Sequence, residues 1–524
     1  EPNASWMERR RLFKLSRSDW TDYNAEYISK GGAVFRRSEK LLSLSPEIKK
    51  LFNISRSQIT PDELLQIILG AEVDLLWLGG IGTYIKSSAE NHIEVGDRAN
   101  DAIRINGSEL RAKVIGEGAN LGLTQLGRIE YASQGGRLNT DFIDNSAGVD
   151  CSDHEVNIKI LIDAAMNKNR VSYNQRKKIL QSMTREVSEL VLMNNYQQSQ
   201  AITVIQAKGV QALGNQMRLI RELERRGMLN RSIEFLPTED ILEDRISKSK
   251  GLTRPEISVL LAYAKLYLYE EILKSDIPDD KAAISDLIRY FPSILQKKYA
   301  DIIPKHRLRR EIIATRISNS IVNRVGDTFV FELQAKTGMV ISDIVRAFVI
   351  AREVFDIRDT WIEIQRLDNK TSADLQASML LSVNRLLEHA TVWFLRNGNS
   401  ILDIGQHIKT YANGAKILAH NIDNVLSVID LGYARGRAQS LVNEGVPKNL
   451  ACRVQNLEKM VAGCDIIRLA IQKKLSVMYV AKIYFRLGQF FKLDQFRKAA
   501  NILADEGYWQ GLAVDAVVEE LYFH

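Results

Sequence analysis

A chain of 524 residues and 59.4 kDa, 45% hydrophobic and 26% charged, has the composition of a globular protein of about three domains at roughly 150 residues each. That excludes a disordered, collagen-like or disulfide-stapled class; three scattered cysteines, Cys151, Cys452 and Cys464, argue against a zinc framework and for a reducing, cytoplasmic setting. The net charge of +7 permits an anionic partner without arguing for one.

No apolar run of about 18 residues occurs, so no membrane association is expected. The first residue is Glu1 rather than Met and no signal-like pattern follows it, which gives the expectation of a piece of a longer polypeptide. Glycine is uneven: 15 of the 31 fall in residues 1–150. Proline is missing between Pro61 and Pro237. A Gly-rich front and a Gly-poor rear predict two unlike architectures joined near residue 150.

In chain order, Arg9, Arg10 and Arg11 read as a solvated or ion-paired helix face. Thr60-Pro-Asp-Glu63 is a capping box with Pro at the first helical position, so a helix is expected to about Gly70. Val73-Asp-Leu-Leu-Trp-Leu78 is a nearly continuous apolar run halted by Gly79-Gly80, the pattern of a strand buried on both faces of a parallel sheet. Ala112-Lys-Val-Ile115 is a second expected strand, and Arg137-Leu-Asn-Thr-Asp-Phe-Ile143 a third, with a helix from Gln125 to Ser133 between them. Strand, helix, strand with short glycine turns is the βαβ pattern, in which ligands bind beyond the carboxyl ends of the strands. The three loops there are Gly79-Gly80, Gly116-Glu-Gly118-Ala-Asn120 and Asp144-Asn145-Ser-Ala-Gly148. Glycine lets backbone approach a flat or phosphorylated ligand, and asparagine offers a donor and an acceptor to a carboxamide or ribose; the same residues also make plain tight turns. The GxGxxxG spacing from Gly116 to Gly122 is a weak pyrophosphate cradle, and no GxxxxGK[ST] occurs.

These residues carry a resemblance. Gly118-Ala-Asn120, then Asn145-Ser-Ala-Gly-Val149 and Ser152-Asp-His-Glu155, resembles the glutamate dehydrogenase family. The wider block from Leu76-Trp-Leu-Gly-Gly80 through Val95-Gly-Asp-Arg98 to Asn157-Ile-Lys159 is similar to the very large bacterial NAD-specific class. So are Gly251-Leu-Thr-Arg-Pro-Glu256, His306-Arg-Leu-Arg-Arg310 and Asn323-Arg-Val-Gly-Asp327, and the resemblance covers nearly the whole chain. It implies an NAD cofactor and oxidative deamination of L-glutamate to 2-oxoglutarate and ammonia. By match, Asn145 would bond the nicotinamide carboxamide and Asn120 the nicotinamide ribose, with Gly118, Ala119, Gly79 and Gly80 lining the cofactor loops. Ser152 would reach the distal carboxylate of glutamate from a helix start, where free N–H groups favour an anion. Ser146-Ala147 replaces the family's Ala-Gly, and the Cβ at 147 can shift that turn. No segment resembles the family's catalytic lysines and aspartate or its phosphate loop, so no catalytic residue is assigned here. The choice of NAD over NADP rests on the resemblance alone.

Beyond Glu155 the pattern is helical almost to the end. Ile179, Met183, Val187 and Leu190 share one face, and Thr253-Arg-Pro-Glu256 is a second capping box, leading into Ile257, Leu260, Leu261, Ala264 and Leu268. Similar stripes run from Ile341 to Phe355, Leu375 to Leu395 and Phe496 to Leu503, with loops at 235–238, 275–280 and 397–399. Arg307, Arg309, Arg310 and Arg316 read as an ion-paired face, His306, His389, His407 and His420 as surface or satisfied residues, and Trp361 and Trp393 as core.

The expectation is α/β plus all-α. Residues 1–155 would be the C-terminal half of an NAD-binding Rossmann-type domain built on a partial parallel sheet, residues 156–235 long connecting helices, and residues 236–524 a large α-helical C-terminal domain serving assembly or regulation. The fragment is expected to be inactive alone and to belong to a homo-oligomer acting on L-glutamate and 2-oxoglutarate. The competing reading is a non-enzymatic helical scaffold binding protein or nucleic acid through its arginines.

Overall fold

The computed structural model describes residues 2–80, 82–398 and 402–493, with 496, 499, 500, 503, 513, 514 and 517 beyond. The described residues fall into two compact units, Glu1–Asn145 and a larger one from Ser146 onward. The protein is mostly helical, with only small sheets.

The first unit contains helices α1 (Pro2–Lys14), α2 (Pro46–Phe52), α3 (Pro61–Leu69), α4 (His92–Val95), α5 (Gln125–Ser133) and α6 (Asp141–Asp144). Its strands are β1 (Leu42–Ser43), β2 (Gln58–Ile59), β3 (Leu75–Leu78), β4 (Ile85–Lys86), β5 (Ile105–Asn106) and β6 (Val114–Glu117). They pair two by two: β1 antiparallel to β2, β3 parallel to β6, β4 parallel to β5. The expected start of α3 is there, the Thr60 hydroxyl capping the Glu63 N–H and the Glu63 carboxylate accepting from the Thr60 N–H at 2.9 Å. Helix α5 spans the expected residues. Leu78, Ile85, Ile105, Leu110, Ile115 and Leu123 fill the core beneath β3 and β6.

Two strand expectations are corrected. Segment 137–143 contributes only one parallel bridge, Val114 to Arg137, before α6 begins. The Thr140 carbonyl accepts the N–H groups of Ile143 and Asp144, and those bonds divert the chain into a helical turn. Strand β3 is not buried on both faces. Leu76 and Leu78 face the core, but Leu75 is 56% and Trp77 59% exposed. Period two puts Val73, Leu75 and Trp77 on one face, and that face has no covering layer among the described residues.

Trp77 still makes contact on that face. Its indole lies along β6, where a Cβ at Gly116 would come within 2.7 Å of Cε3 and one at Gly118 within 2.4 Å of Cζ2. These glycines leave room for a side chain of their own chain.

The second unit opens with α7 (Ser146–Met166), α8 (Tyr173–Lys208), α9 (Val210–Arg225), α10 (Glu239–Ser247) and α11 (Arg254–Lys274). It continues through α12 (Ile284–Tyr290), α13 (Ser293–Lys298), α14 (Arg309–Val325), α15 (Phe329–Thr337), α16 (Ile341–Val354) and α17 (Ile357–Gln365). Helices α18 (Ala373–Asn397), α19 (Ile404–Asn421), α20 (Val428–Asn443), α21 (Lys448–Met460), α22 (Gly463–Lys473) and α23 (Val477–Phe490) follow. The stripe Ile257, Leu260, Leu261, Ala264, Leu268 is wholly buried, as is Ile341, Ile344, Val345, Phe348. Ile179 and Met183 are buried, with Val187 and Leu190 half-buried. The stripe expected from Phe496 to Leu503 and the last residue of the 397–399 loop lie largely outside the described residues. No described helix is long and apolar enough to cross a membrane.

Substituting Gly118→Ala forces either the Trp77 indole or the β6 end to shift, at a cost of about 1–3 kcal/mol. Urea unfolding of the purified variant should show that loss, whereas Gly135→Ala, which meets no atom but has a positive φ, serves as a backbone-strain comparison.

Candidate functional site

The site is built on the loops that end β6 and α6. The N–H groups of Gly118 and Ala119 both donate to the Leu78 carbonyl, at 2.9 and 3.0 Å. They are therefore spent on the fold and make no anion nest. Leu121 takes a left-handed φ of 54°, held by its N–H donating to Asp141 Oδ2 at 2.8 Å. Between them stands Asn120, exposed.

Asn145 reaches it from α6. Its side-chain Nδ2 donates to Asn120 Oδ1 at 2.5 Å, bringing together two residues that lie 25 apart in the chain. Asn145 closes α6, its own N–H donating to the Asp141 carbonyl at 2.8 Å. Neither Asn120 Nδ2 nor Asn145 Oδ1 has another partner among the described residues. The pair therefore presents one amide donor and one amide acceptor side by side, the complement of a carboxamide or of ribose hydroxyls.

Beneath the asparagines is a buried charge network that sequence reasoning missed. Glu117 is 0% and Arg128 3% exposed. The guanidinium grips the carboxylate with both arms, Nε to Oε2 at 2.7 Å and Nη2 to Oε1 at 2.9 Å, and lies 3.1 Å from Asp141 Oδ1. Glu117 Oε1 also accepts the Leu123 N–H at 3.1 Å. Asp144 accepts the Glu117 N–H at 3.0 Å and the Asn139 side chain at 2.9 Å. Burial pushes the Glu117 carboxyl above the usual range, opposed by the hydrogen bonds and charge of Arg128. The available signal was a Glu closing an apolar strand and an Arg three residues before Tyr131 on the inward face of α5.

Gly79 and Gly80 form the exposed turn after β3, Gly79 beside the Trp77 indole nitrogen and Gly80 near the Tyr84 hydroxyl. Ser152 belongs to the second unit. Helix α7 begins at Ser146, so Ser152 lies in its second turn, exposed, with Oγ donating to the Gly148 carbonyl at 3.3 Å. The uncapped N–H groups expected around it belong to residues 146–149 instead. Ala147 is helical, and its Cβ causes no backbone strain.

The histidine and arginine motifs divide. His306 is buried and satisfied, its Nε2 3.0 Å from the Asn157 carbonyl and its Nδ1 accepting the Leu308 N–H at 3.1 Å. Arg309 and Arg310 pair with Asp279, and Arg11 with Glu8. Arg316, expected in the same ion-paired face, has no ion pair among the described residues. Trp361 is buried, while Trp393 donates to Asp465 at 2.8 Å.

Residues 249–524, more than half of the chain, match the family model described as glutamate dehydrogenase, C-terminal. The chain belongs to the glutamate dehydrogenase family. Residues 1–205 match a second model, bacterial NAD-glutamate dehydrogenase, catalytic domain. Relatives named NAD-specific glutamate dehydrogenase are 44% identical over 520 residues in Halomonas elongata, 42% over 518 in Pseudomonas aeruginosa and 39% over 525 in Mycobacterium tuberculosis. Each alignment covers 99% of this chain and 32% of the relative, so the chain spans about a third of the length of the relatives it matches.

Replacing Arg128 with Met leaves a buried, unpaired Glu117 and should cost about 3–5 kcal/mol at neutral pH. Because the folded-state pKa of Glu117 is raised, and rises further without Arg128, the folded state holds a proton that the unfolded state releases. Stability of the variant is therefore recovered as pH falls into the carboxylate range and lost as it rises through the folded pKa. Urea unfolding from pH 5 to pH 8 measures this; a deficit independent of pH would show that Glu117 does not carry the charge.

Proposed function

We propose that this chain is part of an NAD-dependent glutamate dehydrogenase, converting L-glutamate, NAD+ and water to 2-oxoglutarate, ammonium, NADH and a proton. The observation that carries the reading is the Asn120–Asn145 pair, formed by the two motifs that resemble the family's cofactor loops. The parallel pairing of β3 with β6, extended by the bridge to Arg137, supports reading this unit as half of a Rossmann-type domain. Its open face of Val73, Leu75 and Trp77 is one that a Rossmann-type sheet would cover with a helical layer.

When bound, the nicotinamide accepts hydride from the substrate carbon that bears the amine. Asn145 would hold its carboxamide and Asn120 its ribose, which would orient the ring toward the substrate. Gly118 and Ala119 set the height of that loop through the Leu78 carbonyl, and Gly79 and Gly80 leave the neighbouring turn narrow. The residues fit the nicotinamide end of the cofactor. With the Gly118 and Ala119 N–H groups engaged, the pyrophosphate is held by other residues. Ser152 contacts the distal carboxylate of glutamate. The helical unit serves assembly and regulation of a homo-oligomer.

Hydride transfer needs substrate and ring in near-attack geometry, and this chain supplies only part of the contacts. The purified chain should therefore yield no glutamate-dependent NADH by absorbance at the nicotinamide band. In the full-length enzyme, Asn145→Ala should raise the KM for NAD+ about tenfold, the loss of roughly one to one and a half hydrogen bonds. An unchanged KM would remove Asn145 from the cofactor site.

A further inference from the structure

Helix α8 carries a band of amides: Asn194, Asn195, Gln197, Gln198 and Gln200 fall within seven residues, all half-buried. Amide groups withdrawn from water require partners. Three of these find theirs at the start of α7. Asn194 Nδ2 donates to Asp150 Oδ2 at 2.8 Å, Asn195 Nδ2 to Ser146 Oγ at 2.9 Å and Gln198 Nε2 to the same Ser146 Oγ at 3.4 Å.

Behind Gln198 stands Lys265, in the middle of α11. Its ammonium donates to Gln198 Oε1 at 2.9 Å, its one hydrogen bond among the described residues. An ammonium can only donate, so Gln198 must turn its oxygen to Lys265 and its NH2 to Ser146. Ser146 Oγ then accepts from two amides, which fills both of its lone pairs and fixes where the hydroxyl stands. Without the lysine either orientation of the amide would serve, because a hydroxyl both gives and accepts. The charge at one end therefore sets the direction of every bond along Lys265, Gln198 and Ser146.

Ser146 is the first residue of α7 and follows Asn145 by one peptide bond, with about 3.8 Å between their Cα atoms. The first N–H groups of a helix have no partner within it, and helix ends fray unless side chains pin them. Here the pins are side chains of α8, one of them set from α11.

We propose that Lys265 is a positioning residue for the cofactor site: through Gln198 it holds Ser146, and with Ser146 the adjoining Asn145. The proposal rests on the reading of Asn145 as a cofactor ligand. It gives the helices after residue 236 a direct hold on cofactor binding, in addition to assembly and regulation.

The test is initial-rate kinetics of the full-length enzyme against NAD+ at saturating glutamate. Lys265→Met keeps the apolar stem and removes the donor; it should raise the KM for NAD+ about fivefold, the worth of one hydrogen bond. Lys265→Arg should restore most of the affinity. Gln198→Leu should give a similar rise, and the double variant Lys265→Met, Gln198→Leu no more than the larger single effect, because both act through one chain of bonds. Should Lys265→Met not fold, Gln198→Glu, which still accepts from Lys265 and cannot donate to Ser146, must give the same rise. A variant that merely loses stability lowers kcat and leaves KM unchanged, and that result overturns the proposal, as do additive effects in the double variant. An unchanged KM in Lys265→Met beside a raised one in Asn145→Ala sinks the proposal alone; an unchanged KM in both sinks the cofactor reading and the proposal with it.

Discussion

The buried pairing of Glu117 with Arg128 is the constraint on which the first unit's site depends. A carboxylate at the end of β6 and a guanidinium on α5 leave water together, and bidentate geometry with Asp141 alongside is what makes that tolerable. Both asparagine-bearing loops hang from this cluster. Glu117 holds Leu123 by its side chain and Asp144 by its N–H, and Asp141 holds Leu121. Asn120 lies inside the first of these loops, and Asn145 directly follows Asp144. Two exposed amides can meet because the charges beneath them have only one satisfied arrangement.

The helical unit handles charge in the same way until α14. Its central helices are apolar nearly all round: α16 buries a run from Ile344 to Arg352 without interruption. A charged residue there must bring its partner inside. Arg352 does so with Asp286, and Glu256 takes both arms of Arg245, whereas Arg346 reaches outward to the exposed Asp276 and the half-buried Asp280. The half-buried Arg316 and Arg324 of α14 differ in having no carboxylate in ion-pairing distance among the described residues.

Features legible in the sequence were those whose partners lie within one helical turn. Thr60 with Glu63 and Thr253 with Glu256 close their capping boxes as read, because spacing i, i+3 puts both groups at one helix end whatever else the chain does. The apolar stripes of α11 and α16 were equally clear. Segment 137–143 was misread because strand character depends on a partner, and Val114 offered it one bridge only. The resemblance puts Ser152 at a helix start, yet 146–149 are already helical. The glycines of β6 were read as room for a ligand, and Trp77 occupies that room.

The sequence by itself determined composition, helix boundaries set by local caps, the inward faces of the long helices and the motifs that resemble the glutamate dehydrogenase family. Those depend on periodicity and on neighbours a few residues away. Only the tertiary structure decided that Asn120 meets Asn145, that Glu117 finds Arg128, and that Arg352 finds Asp286. Such facts depend on which charges share a low-dielectric interior, and sequence spacing does not encode that sharing.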